Sequence, residues 1–216
     1  MKQPRQASII STRHPPILEK KSERIFGLSF REFKKRNLPF YRATKTLKSK
    51  EADIRRELDA QLKRLQLDSI DFYPVWNVVT LEEWNERKKN GVIEAFVKLK
   101  EGLIHLICVS HHLIGEQIKE LIKEQVFEAV LFGYSGYNFR TRQAGLTAIR
   151  QNHLGAIVMN PLGGGIIPQN PDKFAFLKQR KDQSLVEAAL HFIFCSQRNH
   201  DGSRRIQHNR SRSSSR

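Results

Sequence analysis

The sequence is poor in cysteine and contains no long apolar run, and both absences narrow what the protein can be. Its two cysteines, Cys108 and Cys195, belong to no C-x-x-C pair and to no zinc-binding spacing, so the thiols are expected to be reduced. No apolar run reaches the roughly 18 residues of a membrane-spanning helix. The N-terminus also lacks the apolar segment of a secretory signal. We therefore predict a cytoplasmic protein with no membrane partner.

Acidic residues are scarce at both ends of the chain. Residues 1–50 hold 14 Lys or Arg against 3 Asp or Glu, residues 51–196 hold 18 of each, and residues 197–216 hold 6 against 1. We interpret residues 1–20 as an irregular basic N-terminus, residues 21–195 as the globular part, and residues 196–216 as a disordered basic tail.

The basic ends keep a second class of function open. The tail Arg210–Arg216 alternates arginine with serine, as segments of RNA-binding proteins do. Together with the basic N-terminus it could bind phosphate backbones or a protein without any enzymatic activity. No aromatic platform for stacking bases accompanies the tail, so incidental charge is the favoured interpretation and no specific nucleic-acid binding is predicted.

Strands and helices alternate along the middle of the chain. Strands are predicted over Leu38–Lys45, Ser69–Val75, Leu103–Val109, Ala129–Phe132 and Leu154–Met159. Helices are predicted over Lys21–Arg36, from a Ser49 cap to Leu67, over Gly91–Lys100, Ile114–Gln125 and Thr141–Asn152, and from a Ser184 cap to about Phe194. This α/β pattern requires parallel strands, in either an open doubly wound sheet or a (β/α)8 barrel. A closed barrel needs roughly 250 residues, so five strands amount to part of one.

The most informative stretch runs from Leu154 to Gly165. Its first half is a short apolar run that is typical of a strand buried on both faces. The strand stops at Asn160-Pro161, and three glycines follow within the next four residues. Glycines let a backbone approach a ligand closely, although such a loop can also serve only to turn the chain.

Several motifs in register resemble the aldo-keto reductase family. They are Ala43–Thr46, Leu62–Leu65 ahead of Asp68–Tyr73, Gly102–Ser110, and Met159–Gly165. Their order and spacing match the third to seventh βα units of that family's barrel. The resemblance implies a partial (β/α)8 barrel of about five parallel strands, truncated at both ends. It also implies an oxidoreductase that uses NADPH to reduce the carbonyl group of a small molecule to an alcohol.

The resemblance assigns one catalytic residue and leaves the rest of the set missing. Lys45 matches the lysine that, in the family, lowers the pKa of a proton-donating tyrosine. The family's histidine falls at Trp76, and the neighbouring Asn77 would face the other way on an ideal strand. The family's aspartate and tyrosine lie upstream of the lysine, where this sequence has no Asp before Asp53 and no Tyr before Tyr41. We therefore predict weak or absent reductase activity.

The resemblance also implies a binding site for NADP, with some of its residues exchanged. Ser110 matches a serine that contacts the nicotinamide amide, but His111 stands where an asparagine is expected and Leu131 where a glutamine is expected. The residues that match the loop over the pyrophosphate are Asn160, Pro161, Leu162 and Gly163.

Two further expectations concern metals and self-association. His111 and His112 resemble a ligand pair, but adjacent residues point apart in an extended chain, so loop histidines are favoured and no metal site is predicted. Five parallel strands without closure leave two unpaired sheet edges, and these edges predict association between copies of the chain.

Overall fold

Strands alternate with helices in the computed structural model, which describes the backbone of residues 8–11 and 16–198 and the side chains of residues 21–196. The strands are β1 (Ser8–Ser11), β2 (Phe40–Ala43), β3 (Ile70–Val78), β4 (Ile104–His111), β5 (Ala129–Gly133) and β6 (Gly155–Met159). The helices are α1 (Pro16–Lys35), α2 (Glu51–Leu65), α3 (Leu81–Lys89), α4 (Val92–Leu99), α5 (Ile118–Ile122), α6 (Phe139–Gln151), α7 (Ile166–Gln169) and α8 (Leu185–Arg198). Single 3₁₀ turns lie at Gly115–Gln117, Gly163–Gly165 and Ala175–Leu177.

The sheet orders its strands as they occur along the chain. Each strand is hydrogen-bonded to the next, and the pairs from β1 to β5 are parallel. A doubly wound sheet would reverse its strand order part-way across, so that alternative is wrong. The fold is a partial (β/α)8 barrel, as predicted.

The structure begins its regular elements earlier than the sequence pattern indicates. Residues Ser8–Ser11 pair with Phe40–Ala43 as β1, and a four-residue strand is too short to produce a visible period. Helix α1 starts at Pro16, five residues before the predicted start. Proline is tolerated in the first turn of a helix, because the N–H that it lacks would have no partner there.

Helix α2 confirms its predicted face but not its predicted cap. Ile54, Leu58, Leu62 and Leu65 are all buried. Residue Lys50 occupies the N-cap position without a side-chain hydrogen bond. The Ser49 hydroxyl instead accepts a hydrogen bond from Asn90 (Nδ2 to Oγ, 3.2 Å). The acidic residues of the first turn, among them Glu51, stabilise the start of the helix in place of a cap, because they interact favourably with the helix dipole.

Strand β6 differs from the expectation of a strand buried on both faces. Gly155 is exposed, and residues 156–159 are only half-buried. The reason is its position, since β6 is the last strand of the sheet among the described residues. Association of two copies through this edge stays a prediction.

The described residues form two compact units. The first comprises the residues up to Phe132 together with Ala144–Ile157, and the second comprises Gly133–Gln143 together with the residues from Val158 onward. The second unit has its own core, built from Ile167, Phe174, Leu177, Leu185, Ala188 and Ala189. Its helix α8 starts at the predicted cap: the Ser184 hydroxyl accepts the N–H of Glu187 at 3.2 Å. None of the described helices combines the length and apolar character needed to cross a bilayer.

Candidate active site

Lys45 lies just beyond the carboxyl end of β2 and contacts the Trp76 side chain of the next strand. Its ammonium nitrogen is 4.7 Å from the centroid of the indole ring, which is a cation–π contact. Backbone pairing holds the two residues together, because the N–H of Thr46 donates to the carbonyl of Pro74 (3.3 Å) and the N–H of Trp76 donates to the carbonyl of Thr46 (2.9 Å). The Lys45 carbonyl accepts a further hydrogen bond from Gln61 at 2.9 Å.

Helix α3, which the sequence pattern did not predict, fixes the position of Trp76. The buried Arg87 donates from Nη1 to the Trp76 carbonyl at 2.7 Å and also pairs with Glu83. The segment is rich in charge and has little apolar period. A signal was nevertheless present, because Thr80 and Glu83 have capping-box spacing and the Thr80 hydroxyl accepts the N–H of Glu83.

Strand β3 does not run ideally past Trp76. Its pairing with β4 shifts register between Val75 and Val78. Asn77 has a positive φ of 63°, which non-glycine residues adopt rarely and asparagine most readily. The alternation of side chains on an ideal strand therefore does not apply to Asn77, contrary to the sequence-based argument.

The two tyrosines of the first unit, Tyr41 and Tyr73, pack against other aromatic rings. Tyr41 lies on β2, four residues before Lys45, which is about 13 Å in extended chain. Its ring packs edge-on against Phe72. Tyr73 stacks on Phe96 of α4 with ring centroids 5.3 Å apart. Both rings thus take part in aromatic packing.

Ser110 lies near the end of β4, opposite Leu131 of β5. The residue is fully buried, and its hydroxyl has no hydrogen-bond partner among the described residues. An unsatisfied buried polar group costs roughly 1–3 kcal/mol, which a ligand with an amide group would relieve. Protein covers the hydroxyl, so a ligand reaches it only after a neighbouring side chain moves, and Leu131 offers it no second hydrogen bond.

Of the two candidate histidines, His111 packs inside the fold and His112 is exposed just after β4. His111 ends β4 as a buried strand residue and not as a loop histidine, and its ring stacks on Phe132. Burial raises the pKa of the Cys108 thiol to about 12, so that thiol is inert. Within the described residues, no group of three His, Cys, Asp or Glu side chains is arranged to hold a metal ion.

A charged cluster lies toward the amino ends of the strands. Arg42 grips Asp71 with two side-chain hydrogen bonds of 2.8 Å and one backbone bond of 2.7 Å, and His105 adds a contact of 3.0 Å. Burial alone would raise the pKa of the Asp71 carboxyl. The hydrogen bonds from Arg42 and His105 outweigh it, so the pKa lies below its ordinary value. Residues at the amino ends of barrel strands are expected to stabilise the fold and not to take part in catalysis.

The depressed pKa of Asp71 predicts a loss of stability in acid. A carboxyl whose pKa is lower in the folded state stabilises the fold above its unfolded pKa of about 3.9, and this contribution is lost as the pH falls through the lower folded value. We expect Asp71→Asn to cost about 1–2 kcal/mol at neutral pH and to flatten the acid limb of the stability profile. Asp59→Asn is the matched control, because Asp59 pairs with Arg55 at the surface. Equal effects of the two variants in urea unfolding across pH would contradict the assignment.

The loop after β6 is shaped by positive φ angles. Asn160, Gly163, Gly164 and Gly165 have φ values of 54°, 63°, 68° and 98°. The turn is closed by the Gly163 N–H, which donates to the Asn160 carbonyl at 2.9 Å. The structure thus brings Asn160, Pro161, Leu162 and Gly163 together in one tight turn. The loop continues through Gly164 and Gly165; the positive φ angles of its three glycines favour glycine, and Gly164 faces open space.

An aromatic cleft adjoins this loop within the second unit. A Cβ added to Gly163 would lie 3.3 Å from the Cβ of Tyr137, so the two segments are in contact. Tyr137 lines a cleft of about 580 Å³ together with Phe174, Phe176 and Arg140. The second unit therefore offers a glycine loop beside a surface that suits a flat apolar group.

Comparison with known proteins gives several matches. The chain is similar to an aldo-keto reductase from Bacillus halodurans in its holo form, with a TM-score of 0.68 and 23% identity over 88% of this chain and 68% of that one. It is similar to an aldo/keto reductase from Klebsiella pneumoniae in complex with NADP and acetate, with a TM-score of 0.60 and 21% identity over 78% of this chain and 60% of that one. At these identities the two structures show a shared fold.

A curated relative and a family model complete the comparison. The uncharacterized oxidoreductase YrpG of Bacillus subtilis strain 168 is 30% identical over 122 residues, which are 53% of this chain and 35% of the relative's length. The chain thus spans about a third of that relative. The model of the aldo/keto reductase family matches residues 18–208, nearly the whole chain. The chain therefore belongs to the aldo/keto reductase family.

Proposed function

We propose that the chain is an aldo-keto reductase-type oxidoreductase module that binds NADP weakly and reduces carbonyl compounds slowly or not at all. The observation that carries the proposal is the position of the Lys45 ammonium over the Trp76 indole. In the reaction of the family, hydride reaches the carbonyl carbon and an alkoxide develops on its oxygen. That oxygen needs a proton donor within hydrogen-bond reach.

Trp76 occupies the position of the family's histidine but cannot act as a proton donor to the reacting oxygen. An indole donates one hydrogen bond but does not ionise in the pH range of proteins, so it cannot act as a general acid. Its ring face attracts the Lys45 ammonium, which in the family acts on a tyrosine. The tyrosines of the first unit, Tyr41 and Tyr73, pack against Phe72 and Phe96. On this proposal, Lys45 lies just beyond β2 without the tyrosine that it would activate.

The residues proposed for NADP are Ser110 and the loop Asn160, Pro161, Leu162 and Gly163. The cofactor would supply the hydride. The buried Ser110 hydroxyl, which has no partner within residues 21–196, suits a carboxamide, and the glycine loop leaves its backbone open to a phosphate. Leu131 opposite Ser110 adds no hydrogen bond, and the hydroxyl is covered. These residues therefore fit the cofactor in part, which favours weak binding.

The test combines cofactor binding with turnover. We expect NADPH fluorescence titration to give weak binding that Ser110→Ala weakens further, and we expect no aldehyde-dependent NADPH consumption above background. Lys45→Met should then change nothing. The matched control is Lys48→Met, at an exposed lysine three residues away. Turnover that Lys45→Met abolishes and Lys48→Met preserves would overturn the proposal in favour of an active reductase with a substitute acid.

The alternative, a nonenzymatic module that binds nucleic acid or a protein through its basic ends, has less support. The tail Arg210–Arg216 lies outside the described residues. Nucleic-acid retention that disappears on deleting residues 197–216 would favour this alternative.

A further inference from the structure

The solvent face of helix α1 carries apolar side chains that the fold does not use. Ile25 is 63% exposed and Leu28 is 53% exposed. The helix already has a buried face on its other side, where Phe30 stacks on Phe40 with ring centroids 5.3 Å apart. The exposed pair is therefore additional to the apolar stripe that a surface helix needs for packing.

Basic side chains surround this apolar pair, and they have no acidic partners among the side chains that the structure describes. Five exposed residues of α1 form no ion pair with another described side chain; they are Lys21, Arg24, Arg31, Lys34 and Lys35. The acidic residue of this face, Glu32, is taken by Arg36 at 2.7 Å.

On α2, on α4 and just after α5, by contrast, basic residues are ion-paired. Arg55 on α2 pairs with Asp59, Lys98 on α4 with Glu51, and Lys123 after α5 with Glu120. These three pairs neutralise charge within the fold. The excess on α1 is confined to one face and calls for an external anion.

Spacing places the basic and apolar residues in one row. Lys21, Arg24, Leu28, Arg31 and Lys35 follow one another at intervals of three and four residues, which keeps them on one side of a helix. We propose that this row, together with Ile25, binds an anionic lipid surface, with the basic groups on the headgroups and the two aliphatic side chains in the acyl boundary. The sequence pattern alone gave no reason to expect a membrane partner, because it did not show that Ile25 and Leu28 are exposed.

The exposed aliphatic pair decides between a lipid surface and a polyphosphate. A nucleic-acid backbone would attract the same four cations of the row, but it gives Ile25 and Leu28 nothing to contact. At a lipid surface their transfer from water into the headgroup boundary adds to the electrostatic attraction. The aromatic residues of α1 that could stack on bases, among them Phe30, face the protein.

The test is cosedimentation of the full chain with phosphatidylcholine vesicles that contain or lack phosphatidylserine. We expect binding to the phosphatidylserine vesicles only, weakening as salt is raised. Each basic residue near an anionic membrane contributes about five-fold in affinity, so Arg24→Gln with Arg31→Gln should weaken binding about 25-fold. Ile25→Ser with Leu28→Ser should weaken it about ten-fold.

A matched control carries the same change in charge on another surface. Lys178→Gln with Lys181→Gln removes two exposed lysines of the second unit and should leave binding within about two-fold of the native chain. Equal losses in the control and the α1 variant, or no binding to phosphatidylserine vesicles, would overturn the proposal. Full binding by the Ile25→Ser, Leu28→Ser variant combined with tight binding of an RNA oligonucleotide would instead assign the face to a polyphosphate.

Discussion

Replacing Trp84 by alanine should lower the free energy of unfolding by about 3–5 kcal/mol. The indole is 1% exposed, and its ring centroid lies 5.7 Å from that of Phe127. Removing it leaves a cavity that the surrounding helices can only partly fill, because they are held by the sheet. Urea unfolding followed by far-ultraviolet circular dichroism measures the loss.

Two further variants separate cavity formation from other effects. The indole N–H of Trp84 has no hydrogen-bond partner among the described residues, so Trp84→Phe loses no hydrogen bond and should cost less than about 1.5 kcal/mol. Trp76→Ala removes a half-buried ring and should also cost clearly less than Trp84→Ala. If Trp84→Ala and Trp76→Ala cost the same, Trp84 is not the core residue that its burial indicates.

Replacing Gly27 by alanine should destabilise the chain by about 2–3 kcal/mol, although alanine favours helix more than glycine does. A Cβ at this position would lie 2.8 Å from the carbonyl oxygen of Arg64 and 2.9 Å from that of Leu65. Both obstacles are backbone atoms of the end of α2, which cannot rotate away. The two helices would have to separate and would expose their shared apolar contact.

Gly145→Ala is the matched control for this prediction. Gly145 also lies in a helix, α6, but its added Cβ would meet only the side chain of Ile118, at 3.4 Å. That distance is ordinary van der Waals contact, so the helix propensity of alanine should dominate and stabilise by up to about 1 kcal/mol. Chemical denaturation of both variants should give shifts of opposite sign. A stabilising effect of Gly27→Ala would show that α1 does not pack closely on α2.

The periodicity of the sequence was sufficient to predict most of the architecture. The apolar spacing of Ile54, Leu58, Leu62 and Leu65 predicted the buried face of α2, because a helix repeats every 3.6 residues whatever it packs against. The spacing of strands and helices predicted parallel pairing. It could not choose between a doubly wound sheet and a barrel, since both are built from the same βαβ unit and differ only in strand order.

The sequence pattern failed to predict two features of the fold, and each has an identifiable physical cause. Helix α3 was missed because Leu81–Lys89 is mostly charged, and its buried Trp84 and Arg87 gain their roles from contacts distant in sequence. Strand β6 was expected to be buried on both faces because it is apolar. Its half-buried state follows from its place at the end of the sheet.

The candidate site shows the same division. Sequence motifs predicted that Lys45 is the last residue of a strand, which in the structure ends two residues earlier, and that Asn160–Gly163 form a loop; both depend on local chain geometry. The contact of Lys45 with Trp76 depends on the pairing of Thr46 with β3. The Ser110 hydroxyl has no hydrogen-bond partner among the described residues because it is buried opposite Leu131. Neither could be deduced from residue types.

By itself the sequence determined that the chain alternates strands with helices, that its Lys/Arg excess lies at its two ends, and that no aspartate precedes Asp53 and no tyrosine precedes Tyr41. These properties follow from composition and from repeats of two and 3.6 residues. Only the tertiary structure decided that the Lys45 ammonium rests on an indole and that Ile25 and Leu28 face solvent. Such facts depend on which distant residues meet, and burial and pairing across a sheet are properties of the folded chain.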